Sequence, residues 1–318
     1  MNILITGGAG YIGAELVYEL SKKEDVSSIL VYDNLSRENY NFFTSLSHKI
    51  SNGKVKFEFG ELLDSRKIRK VLKGIDVVYH LAAKVSKPFS NIDSHIYEQV
   101  NHWGTAELIY AVEESNSISR FVYLSCASVY GKSKREIDEA TSPDPTNHYS
   151  VSKLRAEGHV ERLMAKMNTY ILRCAKVYGP ATTIRFDSVI NRFMFDAHFN
   201  GKIQIHGSGK QIRPFIHIDK TVATLVELRL SKAPSGIYNL SDKNIEVLDM
   251  IDVLKELYPD MEYIFINQHL EMNDLKISSS LKLSKYFPIP QTELKDDLIA
   301  FKNRFSFSTP VEMEVKKK

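Results

Sequence analysis

Residues 1–13 read MNILITGGAGYIG. The run NILIT (2–6) is short, apolar and β-branched, as a buried strand is. Glycines follow at once and lead into an amphipathic pattern over 11–23. Gly8, Gly10 and Gly13 satisfy G-x-G-x-x-G, and Gly7, Gly10 and Gly13 give the alternative G-x-x-G-x-x-G. The physics is common to both. Side chains are missing where the backbone turns sharply, where a pyrophosphate must approach, and where helix packs on strand. The helix start then offers free N–H groups to phosphate oxygens. The strand–turn–helix context makes this a dinucleotide site rather than a glycine-rich turn without a ligand. A second strand, SILVY (28–32), leads to Asp33, twenty residues after Gly13. A carboxylate there accepts hydrogen bonds from an adenosine ribose and repels a 2′-phosphate, which favours NAD over NADP. Arg37 is the counter-signal.

Working outward, KVKFEF (54–59), DVVYHL (76–81), RFVYLS (120–125) and TYILR (169–173) read as further strands. Helical patterns over 11–23, 65–73, 95–115 and 148–167 separate them. Strand and helix in alternation predict an α/β fold, a Rossmann-type doubly wound parallel sheet covered on both faces. After Gly179-Pro180 the rhythm changes. Helices near 188–199, 248–258 and 291–305, with strands near 202–205 and 262–266, predict a smaller α/β substrate-binding cap. The expected division is 1–178 for the dinucleotide domain and 179–318 for the cap. It is interleaved, because FIHI (215–218) and GIYNL (236–240), within the segment 213–240, are expected to return to the first domain. From about Ser306 periodicity is lost and a mobile tail is expected, ending in a solvated KKK (316–318).

The 318 residues carry a formal net charge of +3, with no basic stripe, so neither nucleic acid nor a membrane surface is an expected partner. There are two cysteines, no secretory signal and no membrane-length apolar run. This points to a reducing, cytoplasmic setting.

The segment HYSVSKLRAEG holds Tyr149 and Lys153, four apart and so on one helix face. A phenol near pKa 10 is a poor base at neutral pH. A neighbouring ammonium and an oxidised nicotinamide both favour the phenolate, which can then take a proton from a sugar hydroxyl.

With TGGAGYIG, VYDNLSR, HLAA, NHWGT, LSCASVYG, YSVSK, LRCAKVYGP and RPFIHID in this order, the chain resembles the extended short-chain dehydrogenase/reductases. Within them it is similar to the NAD-dependent nucleotide-sugar epimerase/dehydratase group, in the manner of UDP-glucose 4-epimerase. The resemblance implies that Tyr11 and Ile12 flank the pyrophosphate and that Asp33 and Asn34 hold the ribose. It places Glu61 and Leu62 near the adenine, Leu81, Ala82 and Ala83 on the path to the nicotinamide, and Asn101 and Lys153 at the cofactor. A nucleotide-diphosphate sugar is the implied substrate and a homodimer the implied assembly.

Several positions depart from the family pattern. Cys126 stands where relatives have Ser or Thr, whose hydroxyl bonds the reacting sugar oxygen. Three readings stay open: the thiol does this work weakly, Ser125 or Ser128 takes over, or ordinary epimerase chemistry is lost. Ala127 and Ser128 stand where dehydratases carry Asp-Glu, which speaks against dehydration. Lys176 replaces an asparagine that contacts the sugar diphosphate, and either binds phosphate or points to solvent. Arg213 matches the arginine that grips the diphosphate. A second arginine expected before the family's late Asp-rich segment is missing. The implied activity is epimerisation, at C4. A net dehydrogenase or reductase is the near alternative and a non-enzymatic NAD sensor the distant one.

Overall fold

The computed structural model describes residues 1–45, 50, 53–85, 94–269, 274–279 and 282–307. Seven strands form one parallel sheet: β1 (Asn2–Thr6), β2 (Ser28–Asp33), β3 (Val55–Phe59), β4 (Val77–His80), β5 (Arg120–Cys126), β6 (Asn168–Cys174) and β7 (Gly236–Leu240). Their order is β7-β6-β5-β4-β1-β2-β3. The direction of winding reverses between β1 and β4, and a crevice opens there beyond the carboxyl ends of the strands. Helices Tyr11–Ser21 and Ile218–Leu228 share one apolar layer with the sheet. Helices Ser65–Val71, Gly104–Glu113 and His148–Glu161 cover the other face. This is the doubly wound α/β architecture expected of the alternating pattern.

The helix expected over 95–115 is present as Ser94–Tyr97 and Gly104–Glu113, joined by a π-helical stretch at Glu98–Trp103. The wide turn carries Asn101, which is fully buried. The helix expected over 148–167 runs His148–Glu161 and ends in a tighter turn at Arg162–Ala165.

The rest builds smaller sheets. Ile212–His217 pairs parallel with Lys176–Tyr178 and antiparallel with Lys243–Glu246. FIHI therefore does not enter the main sheet as a strand. Its end instead launches helix Ile218–Leu228, which returns to the first layer and presents Val222, Leu225 and Val226 to it. GIYNL does join the main sheet, beside β6. Lys202–His206 pairs with Glu262–Ile266, and helices Val189–Phe195, Val247–Leu257 and Leu294–Lys302 close a separate core around Tyr178, Phe215 and Phe301. Most of the tail expected to be mobile lies outside the described residues. Among the described residues, no helix is long and apolar enough to cross a membrane.

Candidate active site

The glycine turn is built by steric necessity. Gly7 sits at φ +71°, and a Cβ there would come 2.5 Å from the backbone N of Ala82. A Cβ on Gly13 would meet the Gly7 carbonyl oxygen at 2.4 Å. The turn thus folds tightly onto itself and onto the segment after β4. Around Gly10 the nearest atom a Cβ would meet is the Gly7 oxygen at 3.1 Å, so one side stays open. No side chain caps helix Tyr11–Ser21. Its first N–H groups are available to an anion.

A cleft opens over this turn, lined by Gly7, Gly10, Asp33, Asn34, Glu61, Leu62, Leu81, Ala82 and Ala83. All nine were candidates from the sequence. Arg37, the counter-signal, lines it too, with Asn39, Lys84 and Ile96, which were not singled out there. The Asp33 carboxylate accepts from the backbone of Ala9 (3.1 Å) and Leu35 (2.8 Å). Burial pushes its pKa up, and those N–H groups oppose the shift. Asn34 donates to the Glu61 carboxylate. Arg37 pairs with Asp187 at 3.1 Å, so its charge is already partly neutralised. Tyr11 is buried and gives its hydroxyl to the Gly179 carbonyl at 2.6 Å. Ile12 packs against the main core.

The second group of candidates gathers where β5 ends and helix His148–Glu161 begins. Asn147 caps that helix and exchanges bonds with Ser150, which fixes the first turn around Tyr149. The Tyr149 ring meets Tyr97 edge-on, with centroids 6.1 Å apart. Burial holds its phenol well above 10, the neighbouring Cys126 adds to this, and the Arg185 guanidinium opposes it. Lys153, 2% exposed, lies with Nζ 4.1 Å from the Tyr123 ring centre. Loss of hydration brings its pKa down to about 8, while Cys126 and Glu157 pull it back up. Tyr123 stacks on His80, whose ring nitrogens bond Thr6 (2.7 Å) and Thr105 (2.8 Å). Burial and the Lys153 charge keep His80 neutral.

The two serines next to Cys126 are used differently. Adjacent strand residues point to opposite faces. Ser125 is buried and donates to Glu157, which also binds Arg173 at 2.7 Å. It is tied into a structural ion pair. Ser128 Oγ lies 2.9 Å from Cys126 Sγ, so the thiol and this hydroxyl form one polar pair. Asn101 spends its amide on the backbone of Lys84 (2.7 and 2.9 Å) and on Ser152 (3.0 Å). It anchors the segment after β4 to the Tyr149 helix.

Across from them, Lys176 is exposed to solvent at the start of its strand. Arg213, half-buried, has its pKa lowered by burial, and Asp274 acts against the shift. Arg185 was missed in the sequence. It follows the YGP turn in a segment without periodicity, and only the fold brings its charge near Tyr149. Among the described residues no cluster of His, Cys, Asp and Glu could hold a metal.

The NAD dependent epimerase/dehydratase family matches residues 3–241 of the chain. The chain belongs to that family. It is 32% identical over 262 residues to dTDP-D-glucose 4,6-dehydratase of Homo sapiens, covering 80% of this chain and 73% of that one. It is 34% identical over 233 residues to an uncharacterized UDP-glucose epimerase of Bacillus subtilis (strain 168), 70% of each chain. The UDP-glucuronic acid 4-epimerase from Bacillus cereus, solved with UDP-glucuronic acid and NAD, superposes with a TM-score of 0.84 at 27% identity. That match covers 95% of this chain and 98% of that one. NAD is the cofactor of this family, and the open side at Gly10 with the uncapped start of helix Tyr11–Ser21 fits its diphosphate.

Proposed function

We propose that the protein is an NAD-dependent epimerase of a nucleotide sugar, acting at C4. The observation that carries this reading is the meeting of Tyr149 and Lys153 with a loop, 126–128, that holds no carboxylate. Elimination of water needs an acid and a base beside the tyrosine. Here Ala127 is buried and Ser128 bonds a thiol. Glu157, the carboxylate whose charge reaches Cys126 and Lys153, is held by Arg173.

Gly7, Gly10 and the helix start at Tyr11, Ile12 and Gly13 would hold the diphosphate of NAD, and Asp33 its ribose. When bound, NAD supplies a hydride acceptor and donor. Tyr149 takes the proton of the sugar hydroxyl and later returns it to the same oxygen once hydride has come back to the other face of the carbon. That requires positive charge near the phenol, which Arg185 provides and which Lys153, one helical turn further on, would add to. Arg213 binds the sugar diphosphate, so the sugar can turn while its anchor stays put. The exposed Trp103 and Tyr110, on helices packed beside His148–Glu161, support a homodimer.

The test is a panel of UDP-, dTDP-, GDP- and CDP-sugars with purified protein and no added cofactor, read by NMR. UDP-glucuronic acid comes first, since Arg185 sets a guanidinium near Tyr149 and a solved relative binds that sugar. The expected result is a C4 epimer formed over many turnovers. Stoichiometric free NADH instead of an epimer would establish the net-redox alternative.

A further inference from the structure

The stretch that carries Asn101 is π-helical, a form found mostly at functional sites, and it is tied to the Tyr149 helix along its length. Just before it, the Tyr97 ring meets the Tyr149 ring edge-on. Arg155 gives a hydrogen bond to Glu98 at 2.8 Å. Asn101 donates to Ser152 Oγ, and Ser152 in turn donates to the Tyr149 carbonyl at 2.8 Å. Last, His102 Nε2 lies 3.1 Å from His159 Nε2, with the rings stacked and their centres 5.2 Å apart. No step of the proposed reaction uses this pair of imidazoles. Charged groups face it from every element around it. Glu98, on the same stretch as His102, accepts from His102 Nδ1 at 2.9 Å. Arg155 and Arg162 come from the Tyr149 helix and the turn after it, and Glu113 and the Tyr110 ring from helix Gly104–Glu113.

We propose that His102 and His159 are positioning residues, whose ring-to-ring bond clamps the Asn101 stretch against the Tyr149 helix only while at least one ring is neutral. A bond between two ring nitrogens needs a hydrogen on one and a lone pair on the other. Glu98 takes the Nδ1 hydrogen of His102, which leaves a neutral His102 with its lone pair at Nε2, toward His159. A first proton on the pair keeps the bond. A second puts hydrogens on both nitrogens and sets two like charges in contact. Burial, the neighbouring His102 and Arg162 hold the His159 pKa below its ordinary 6.5, and Glu113 opposes them. The clamp therefore adds stability above about pH 6.5, and that contribution is lost as the pH falls from there through the lowered value. Of the ties along this stretch, the imidazole pair is the one that changes charge in this range. Once it opens, Asn101 loosens its hold on Ser152 beside Tyr149 and on the backbone of Lys84, which lines the dinucleotide cleft. The inference rests on the hydride-transfer reading above, in which the alignment of base and cofactor sets the rate.

The test compares the full chain with retained NAD against His159→Gln, whose amide donates or accepts but takes no proton. Backbone amide exchange over 98–104 and 149–153 is followed by mass spectrometry without sugar, corrected for the intrinsic effect of pH. Between about pH 7.5 and about pH 5.5 it should rise at least about fivefold in the parent, the worth of one ordinary hydrogen bond, and less than about twofold in His159→Gln. Then kcat and KM are measured over the same range on the nucleotide sugar that the panel above identifies. Tyr149 gives both proteins the same acid limb, so the difference between them reads the clamp. The parent's kcat should fall about fivefold further than that of His159→Gln, with KM steady to within about twofold. His159→Ala, which forms no such bond at any pH, should be slow at both ends. Exchange that is flat with pH in the parent, or that rises equally in His159→Gln, overturns the clamp. So does an acid limb that is the same in both proteins. An absence of C4 epimer from every sugar, with the exchange difference present, overturns the epimerase reading alone.

Discussion

Lys153 shows how a single side chain carries the conflict between stability and chemistry. Its ammonium is buried against Tyr123, and among the described residues no carboxylate pairs with it. Its pKa falls from 10.5 to about 8. Below about pH 8 both folded and unfolded chains hold the proton, so the folded state bears the full cost of the buried charge. Between about 8 and 10.5 the folded chain loses the proton first and the cost shrinks. Lys153→Met should therefore raise the melting temperature at pH 7 and do so much less at pH 9.5, at matched NAD content, while abolishing turnover. An increase of equal size at both pH values would show that the charge is not what strains the site. The Tyr149–Lys153 pair was legible in sequence because helix period fixes it. The different uses of Ser125 and Cys126 follow from strand alternation, but which face looks into the cleft is a tertiary fact. Arg185 carried no local signal at all.

At the scale of elements, the strands of the main sheet were legible because each is a short β-branched run between turns. Helix Ile218–Leu228 was not, since it follows a strand with no glycine or proline between them. The π-helical stretch at Asn101 was equally hidden: its extra residue per turn accompanies bonds to Lys84 and Ser152, which are distant in sequence. Another hidden feature joins the Tyr149 helix to the sheet. Glu157 is one turn beyond Lys153 and meets Arg173 of β6, with both side chains at most 4% exposed. Such a pair adds little net stability over a well-packed apolar pair, yet losing one partner leaves a buried charge alone. Arg173→Met should destabilise the protein by about 3–5 kcal/mol in urea unfolding. Glu157→Met combined with it should recover most of that loss. A single variant as stable as the parent would mean that Glu157 finds water or another cation.

Across the whole molecule, the segment 179–187 is fastened to the dinucleotide turn at several points. Tyr11 bonds the Gly179 carbonyl, Thr183 the Gly10 carbonyl at 2.9 Å, and the Thr182 N–H the Glu15 carboxylate at 2.6 Å. Asp187 pairs with Arg37, which lines the cleft beside Asp33, and with Arg185. The dinucleotide turn and Arg185 are thus tied to one segment. This suits an enzyme that regenerates NAD in each cycle and has no need to exchange it. Removing a neutral hydrogen bond and the charged ones together by Thr183→Val with Asp187→Ala takes away about 2–4 kcal/mol of closure. At about 1.4 kcal/mol per factor of ten, NAD should dissociate at least tenfold faster. After gel filtration the variant should have lost its cofactor, and turnover should return on adding NAD. A variant that keeps NAD as firmly as the parent would place the retention in the glycine turn and Asp33 alone, with the 179–187 segment serving the sugar only.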